Sequence, residues 1–166
     1  MSVSGKAAAT VTLPTDEQIL ITREFDAPKE LVFKAYTTPD LVRRWWPAKR
    51  GEMTVAEIDL RPGGKWRYAA VTPDGFEVAF HGEYREVVPN ERIVSTEVYE
   101  GAWQADAPEH ATLNTATFAE EDGRTTLTIL VEAPSKEIRD AIIESGMEDG
   151  LQDALDLLEH AAASLR

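Results

Sequence analysis

The sequence predicts an α+β fold in which one curved antiparallel sheet of about seven strands wraps around a long C-terminal helix. Between residues 53 and 134, short stretches of alternating apolar and polar residues are separated by glycine and proline turns, which is typical of antiparallel hairpins. After Pro134 the apolar residues follow helical spacing up to the end of the chain. Two short helices are predicted directly after the first strand. Three helices cannot cover both faces of such a sheet, so a curved sheet with an internal cavity is the expected arrangement.

The length and composition suit one soluble domain. The chain has 166 residues and a net charge of −13, which disfavours binding to nucleic acid or to anionic membrane surfaces. Residues 1–16 are small and polar, so we expect a disordered tail there, followed by one domain at residues 17–166. Cysteine is absent, which excludes disulfides, thiolate metal sites and cysteine nucleophiles. We expect a cytoplasmic protein, because no apolar run could span a bilayer and no signal-peptide pattern is present.

The first strand is predicted at residues 18–26, where Ile19, Ile21 and Phe25 share one face. Arg23 lies on that same face. If the face points inward, Arg23 requires an acidic partner or a ligand carboxylate, because an unpaired buried charge is prohibitive. The alternative, which we expect, is that Arg23 lies in solvent at an edge or on the outer face.

Two short helices follow, one opened by Pro28 and the other capped by Thr38 and ended by Pro47. Trp45 and Trp46 are neighbours on the second helix, about 100° apart around its axis. We therefore expect one indole to face the cavity and the other to face a neighbouring loop.

The sheet continues with strands predicted from alternation. Gly82 is expected to mark a bulge or a close approach within one of them. The predicted strands span residues 54–60, 65–72, 76–88, 91–100, 111–119 and 125–133.

The C-terminal helix is predicted to begin after a Ser135 cap and to break near Gly146. Beyond the break, apolar side chains fall within one arc and acidic ones occupy the opposite side. Gly146 and Gly150 leave room for a close approach of the sheet or of a ligand. The apolar arc contains Met147, Leu151, Ala154, Leu155, Leu158, Ala162 and Leu165, and the acidic side contains Asp149, Asp153, Asp156 and Glu159.

Four segments together resemble one family. They are ITREFDAPKELVFKAYTTPDLVRRWWP at 21–47, EIDLRPGGKWRY at 57–68, FHGEYREVVPNERIVSTEVYE at 80–100 and SGMEDGLQDALDLLE at 145–159. The sequence resembles the START-like superfamily, also called SRPBCC, with its helix-grip fold, in the branch similar to the C-terminal domain of the Hsp90 ATPase activator. The resemblance implies a seven-stranded sheet gripping the last helix and a pocket suited to apolar or amphipathic ligands. It implies no single activity.

The candidate ligand-binding residues are aromatic or apolar side chains expected at the cavity, with the tryptophan pair favoured by the resemblance as its rim. Arg23 and His81 are candidate polar contacts. No nucleophile elbow, phosphate loop or metal-ligand spacing is present, so we expect no catalytic residue, no metal and no cofactor. The ligand-binding set is Trp45, Trp46, Trp66, Tyr68, Phe80, Met147, Gly150 and Leu151.

Three functions remain open from the sequence. The first is a non-catalytic protein that binds a small apolar or amphipathic molecule. The second is a co-chaperone-like protein that docks on an Hsp90-type ATPase through Arg43, Arg44, Lys49 and Arg50, which lie in eight residues without an acid. The third is a small-molecule cyclase or hydrolase, which a set of convergent polar groups inside the cavity would favour.

Overall fold

The computed structural model describes residues 8–47, 51–100 and 111–166. These residues form a curved eight-stranded antiparallel sheet and four helices, which confirms the predicted α+β helix-grip architecture. Along the chain the elements are β1 (Thr10–Thr12), β2 (Gln18–Phe25), α1 (Lys29–Thr37), α2 (Pro39–Val42), β3 (Glu52–Ile58), β4 (Lys65–Val71), β5 (Glu77–Val88), β6 (Arg92–Glu100), β7 (Thr112–Glu121), β8 (Arg124–Glu132), α3 (Lys136–Glu144) and α4 (Met147–Ala163).

The strand order is β1-β2-β8-β7-β6-β5-β4-β3. Strands β3 to β8 form a simple meander of antiparallel neighbours, as the short turns between them predict. The sheet also pairs β2 with β8, so its first long strand lies next to its last strand. The helices α1 and α2 leave the end of β2 and return the chain to the far edge of the sheet. They therefore cover part of the concave face.

The N-terminal segment differs from the prediction. Residues 10–12 form a strand that pairs with β2, with Thr10 opposite Thr22. The Gln152 side chain of α4 makes two hydrogen bonds to the backbone of Ala9, donating to its carbonyl at 2.8 Å and accepting from its N–H at 3.0 Å. The expected disordered tail through residue 16 is therefore wrong for residues 9–12, because partners distant in sequence satisfy their backbone polar groups.

The predicted C-terminal helices are present. The Ser135 side chain caps α3 by accepting from the N–H of Ile138 at 3.2 Å. Gly146 has φ of 82°, a left-handed conformation that separates α3 from α4 at the predicted break. Neither α4 nor any other described helix is long and apolar enough to cross a membrane. The side chains that α4 buries are Ala154, Leu155, Leu158, Ala161 and Ala162.

Arg23 lies in the interior, and the expectation that it faces solvent is wrong. Its side chain is fully buried, with Nη2 3.0 Å from Oε1 of Glu159 and Nη1 3.0 Å from Oδ1 of Asp156. Both acids are on α4, on the side that the sequence assigns to solvent. β2 lies between β1 and β8 rather than at an edge, and this places its apolar face, with Arg23, under the helix.

Candidate functional site

A cavity of about 150 Å³ lies between the helical segment after β2 and the concave face of strands β4 to β7. Its walls combine aromatic rings with a small group of polar side chains, which is the usual composition of a small-molecule site. The lining consists of Tyr36, Thr37, Trp45, Trp46, Trp66, Tyr68, Tyr84, Ile93, Ser95, Glu97, Asn114 and Ala116.

Both tryptophans of the Trp45–Trp46 pair line this cavity. The prediction that one of them faces a loop is therefore wrong. The pair lies in the turn that follows α2, which ends at Val42. The indole N–H of Trp45 donates to the carbonyl of Ala35 at 3.0 Å. Its ring stacks on Tyr36 with centroids 5.5 Å apart, which ties this turn to the end of α1.

On the sheet side, the indole N–H of Trp66 donates to the backbone carbonyl of Thr96 at 3.2 Å. A Cβ on Gly82 would lie 1.8 Å from that carbonyl oxygen and 2.7 Å from Nε1 of Trp66. The predicted close approach at Gly82 is therefore confirmed, and the missing side chain leaves room for the indole N–H. Tyr68 connects the two walls, with its ring 4.9 Å from Trp66 and 5.4 Å from Trp46.

Two polar residues of the lining, Glu97 on β6 and Asn114 on β7, belong to a hydrogen-bonded chain that continues outside the lining to Thr112. Asn114 donates from Nδ2 to Oε1 of Glu97 at 3.1 Å, and Thr112 donates from Oγ1 to Oδ1 of Asn114 at 3.0 Å. Burial raises the pKa of the Glu97 carboxyl, and the hydrogen bond from Asn114 opposes this rise. The cavity thus contains a carboxyl group with a weakened preference for its charged form.

Three tyrosines line the same cavity as this carboxyl. Burial raises the pKa of the phenols of Tyr36, Tyr68 and Tyr84 well above their usual value, so all three remain protonated at neutral pH. A negative charge on Glu97 adds to the rise for Tyr36 and Tyr68. Within the described part of the chain, the three hydroxyls make no hydrogen bond, which leaves them available to a bound molecule or to water.

Four predicted ligand-binding residues line the cavity, namely Trp45, Trp46, Trp66 and Tyr68. Phe80 lies outside the lining and supports it, because its ring packs edge-on against Trp46 at 5.8 Å. Whether these residues bind a ligand stays a prediction.

The α4 wall of the predicted site is absent from this cavity. Met147, Gly150 and Leu151 do not line it, and the end of α1 occupies the place expected for them. Met147 and Leu151 instead pack against the hydrophobic core. The sequence predicts a cavity directly beside the C-terminal helix. In the structure α1 lies against α4, and the cavity lies on the other side of α1.

The two candidate polar contacts lie elsewhere. Arg23 pairs with α4, as described above. His81 alternates with Gly82 and therefore points to the opposite face of β5 from the cavity. There, Nδ1 of His81 lies 2.8 Å from Oε2 of Glu100, and Arg67 donates to both oxygens of that carboxylate at 3.0 Å. The Arg67 hydrogen bond, with that of His81, lowers the pKa of Glu100.

The predicted basic patch is described in part. Arg43 and Arg44 are exposed on the turn that follows α2. Arg43 donates to the carbonyl of Met53 at 3.2 Å, and Arg44 donates to Oγ of Ser164 at 3.1 Å. Lys49 and Arg50 lie outside the described residues.

Sequence reasoning missed the polar members of the lining. A signal was available, because Glu97 stands two residues from Ser95 and four from buried Ile93 on the inward face of β6. Asn114 likewise stands two residues from buried Ala116, on the inward face of β7. Within the described ranges, no group of three or more histidine, aspartate or glutamate side chains is arranged to hold a metal ion.

Residues 26–163 match the model of a family described as Activator of Hsp90 ATPase homolog 1-like protein. No protein of curated function matches the chain. Similar solved structures include a protein from Rhodobacter sphaeroides, 25% identical with a TM-score of 0.84, covering 95% of this chain and 99% of that one. A protein from Mycobacterium smegmatis is 26% identical with a TM-score of 0.81, covering 92% and 95%. An AHSA1-like protein from Aeromonas hydrophila, 21% identical with a TM-score of 0.63 and covering 88% and 93%, shares the fold.

Proposed function

The chain belongs to the Activator of Hsp90 ATPase homolog 1-like family, and we propose that it is a non-catalytic protein that binds a small amphipathic molecule. The observation that carries this proposal is the cavity beside α1, in which aromatic walls meet a half-buried carboxyl group and three phenols that have no hydrogen-bond partner among the described residues. Such a combination provides contact area for an apolar body and hydrogen-bonding groups for one polar end.

The geometry favours binding over catalysis. The chain of Thr112, Asn114 and Glu97 is a set of polar groups of the kind expected in an enzyme. However, the described lining contains a single carboxyl and no histidine, lysine or arginine that could serve as a second acid or base. Its phenols are held protonated, so none of them can act as a base at neutral pH.

The test is a titration with small aromatic alcohols, followed by tryptophan fluorescence and thermal denaturation. Because three indoles line the cavity, a bound ring should change their emission, and binding to the native state alone should raise Tm. Ala116→Leu fills the cavity and should abolish both responses. Thr117→Leu places the same side chain at the next position of β7, which is exposed, and should leave both responses intact. Equal responses in the two variants would contradict the proposal.

A second candidate is docking on an Hsp90-type ATPase. It is favoured by the exposed Arg43 and Arg44, two cations without an acid beside them on a strongly acidic chain, together with the family description. Reversing both charges with Arg43→Glu and Arg44→Glu should remove binding to a purified Hsp90-type ATPase and any change in its ATP hydrolysis. Reversing the exposed Arg85 and Arg92 is the matched control. Undiminished binding after the first pair of changes would exclude this docking surface.

A further inference from the structure

We propose that the molecule bound in this cavity is an organic cation, an amine whose ammonium group pairs with Glu97 while its apolar part lies among the tryptophans. This inference rests on the proposed function and names its ligand class. It follows from three features, namely the charge of the lining, the unused acceptor oxygen of the carboxyl group and the aromatic walls.

The charge of the lining selects against anions. Among the described residues that line the cavity, Glu97 is the one acidic or basic side chain. No cation is present there to accept a ligand carboxylate or phosphate. A fatty acid placed in this cavity would therefore bring a second negative charge beside the first, whereas an ammonium group would neutralise it.

The Glu97 carboxyl has room for such a partner. Asn114 donates to Oε1, and Oε2 has no hydrogen-bond partner among the described residues. An ammonium group has three donors. One can reach Oε2, and the phenol oxygens of Tyr36 and Tyr68, which are close enough to sense the charge of Glu97, can accept others.

The walls suit a cation as well. Aromatic rings attract cations through the negative charge density of their faces, and indole does so most strongly. Trp66, Tyr68 and Trp46 form a continuous series with neighbouring centroids 4.9 and 5.4 Å apart, and Trp45 stacks on Tyr36 at 5.5 Å. The effect of burial on Glu97 supports the same assignment, since a buried carboxylate without a counter-charge is the group that an ammonium ligand would stabilise.

The cavity volume sets the size of the probes. A cavity of 150 Å³ accepts one benzene ring. Benzylamine, benzyl alcohol and benzoate share that ring and differ in charge, so they report on Glu97 with little change in shape. At pH 7.5 and low salt, we expect benzylamine to bind about tenfold more tightly than benzyl alcohol, and benzoate to bind more weakly than either. Raising the salt concentration should weaken only the amine.

The decisive variant is Glu97→Gln, which preserves the shape of the side chain and its acceptor for Asn114. It should lower benzylamine affinity about tenfold, to near that of benzyl alcohol, and should change the affinity of benzyl alcohol much less. Glu100→Gln removes one carboxylate from the opposite face of the same strand and should keep the amine preference.

The outcomes separate the two proposals. If benzyl alcohol binds wild-type protein as tightly as benzylamine, or if Glu97→Gln keeps the amine preference, the cation assignment is overturned and the binding function stands. If none of the three probes binds, both are overturned. If Glu97→Gln does not fold, the salt dependence on the wild-type protein decides the assignment.

Discussion

The guanidinium of Arg23 on β2, which is fully buried, and the half-buried carboxylate of Glu159 on α4 form an ion pair, with Nη2 and Oε1 3.0 Å apart. The second oxygen of Glu159 accepts the backbone N–H of Asp26 at 2.8 Å, and Asp156 lies 3.0 Å from Nη1 of Arg23. The first long strand and the last helix are therefore held together by charge as well as by apolar packing. The arginine also lies over the ring of Phe25, 4.9 Å from its centroid.

Glu159→Ala should lower the free energy of unfolding by about 2–3 kcal/mol, because it removes a charge-assisted hydrogen bond and leaves Asp156 as the one carboxylate beside Arg23 among the described residues. Glu144→Ala, at an exposed carboxylate on α3, should change it by less than about 0.5 kcal/mol. Urea denaturation measures both values. Equal losses in the two variants would mean that the buried pair contributes no more than a surface charge.

Leu158→Ala should lower the free energy of unfolding by about 2–5 kcal/mol, because Leu158 is completely buried on α4 and its truncation leaves a cavity in the core. Leu13→Ala removes the same atoms from a residue that is 50% exposed and should cost much less. Thermal denaturation of both variants tests this difference. A small loss at Leu158 would show that α4 is not the main support of the core.

Gly82→Ala should destabilise the protein by about 3 kcal/mol, because the added Cβ would overlap the carbonyl oxygen of Thr96 and displace the Trp66 indole. Gly75→Ala is the control. Its Cβ would meet nothing within 4 Å, and only the positive φ of 87° makes that change unfavourable, at about 1 kcal/mol. The fluorescence of Trp66 should shift in the first variant and not in the second. Similar stability and spectra in both would rule out the close approach.

Glu97→Gln should stabilise the protein at alkaline pH. Burial raises the pKa of Glu97 above its unfolded value, so the ionised carboxyl costs stability above the raised pKa. This cost disappears as pH falls through the raised pKa toward the unfolded value. At pH 8 we expect Tm to rise by about 2–4 °C, which corresponds to about 1 kcal/mol in a domain of this size, and the gain to vanish near pH 4. The facing phenols of Tyr36, Tyr68 and Tyr84 stay protonated throughout this range.

Glu100→Gln, on the same strand, should change the stability at pH 8 in the opposite direction. Arg67, and then His81, lower the pKa of Glu100, so its ionised form stabilises the fold above the unfolded pKa and this contribution is lost as pH falls through the lowered pKa. We expect this variant to lose stability at pH 8, where Glu97→Gln gains it. Melting curves at both pH values measure the contrast. A gain from both substitutions at pH 8 would show that the two faces of the strand do not affect their carboxyl groups differently.

The alternation along each strand determined most of the fold. Every strand from β2 to β8 appears where the apolar and polar residues alternate, with ends that differ from the prediction by a residue or two. The Ser135 cap and the break at Gly146 are likewise local signals, since both depend on backbone groups within one turn. Local chemistry also identified Gly82, although the groups that approach it are distant in the sequence.

Only the tertiary structure decided which polar residues face one another. The residues around Arg23 alternate in the same way whether the strand is central or at an edge of the sheet. The pairing of β2 with both β1 and β8 is what places Arg23 under the acids of α4. Trp45 and Trp46 lie in the turn that follows α2, and both line the cavity.

The polar end of the cavity depends on strand register. Asn114 lies opposite Ser95 in the pairing of β6 with β7, and this brings its amide to Glu97. A polar side chain on an apolar strand face shows that something must satisfy it, but the partner comes from another strand, 17 residues away in the sequence. The periodicity of one strand does not show which residue of another strand will lie beside it, because register and sheet curvature are properties of the assembled sheet.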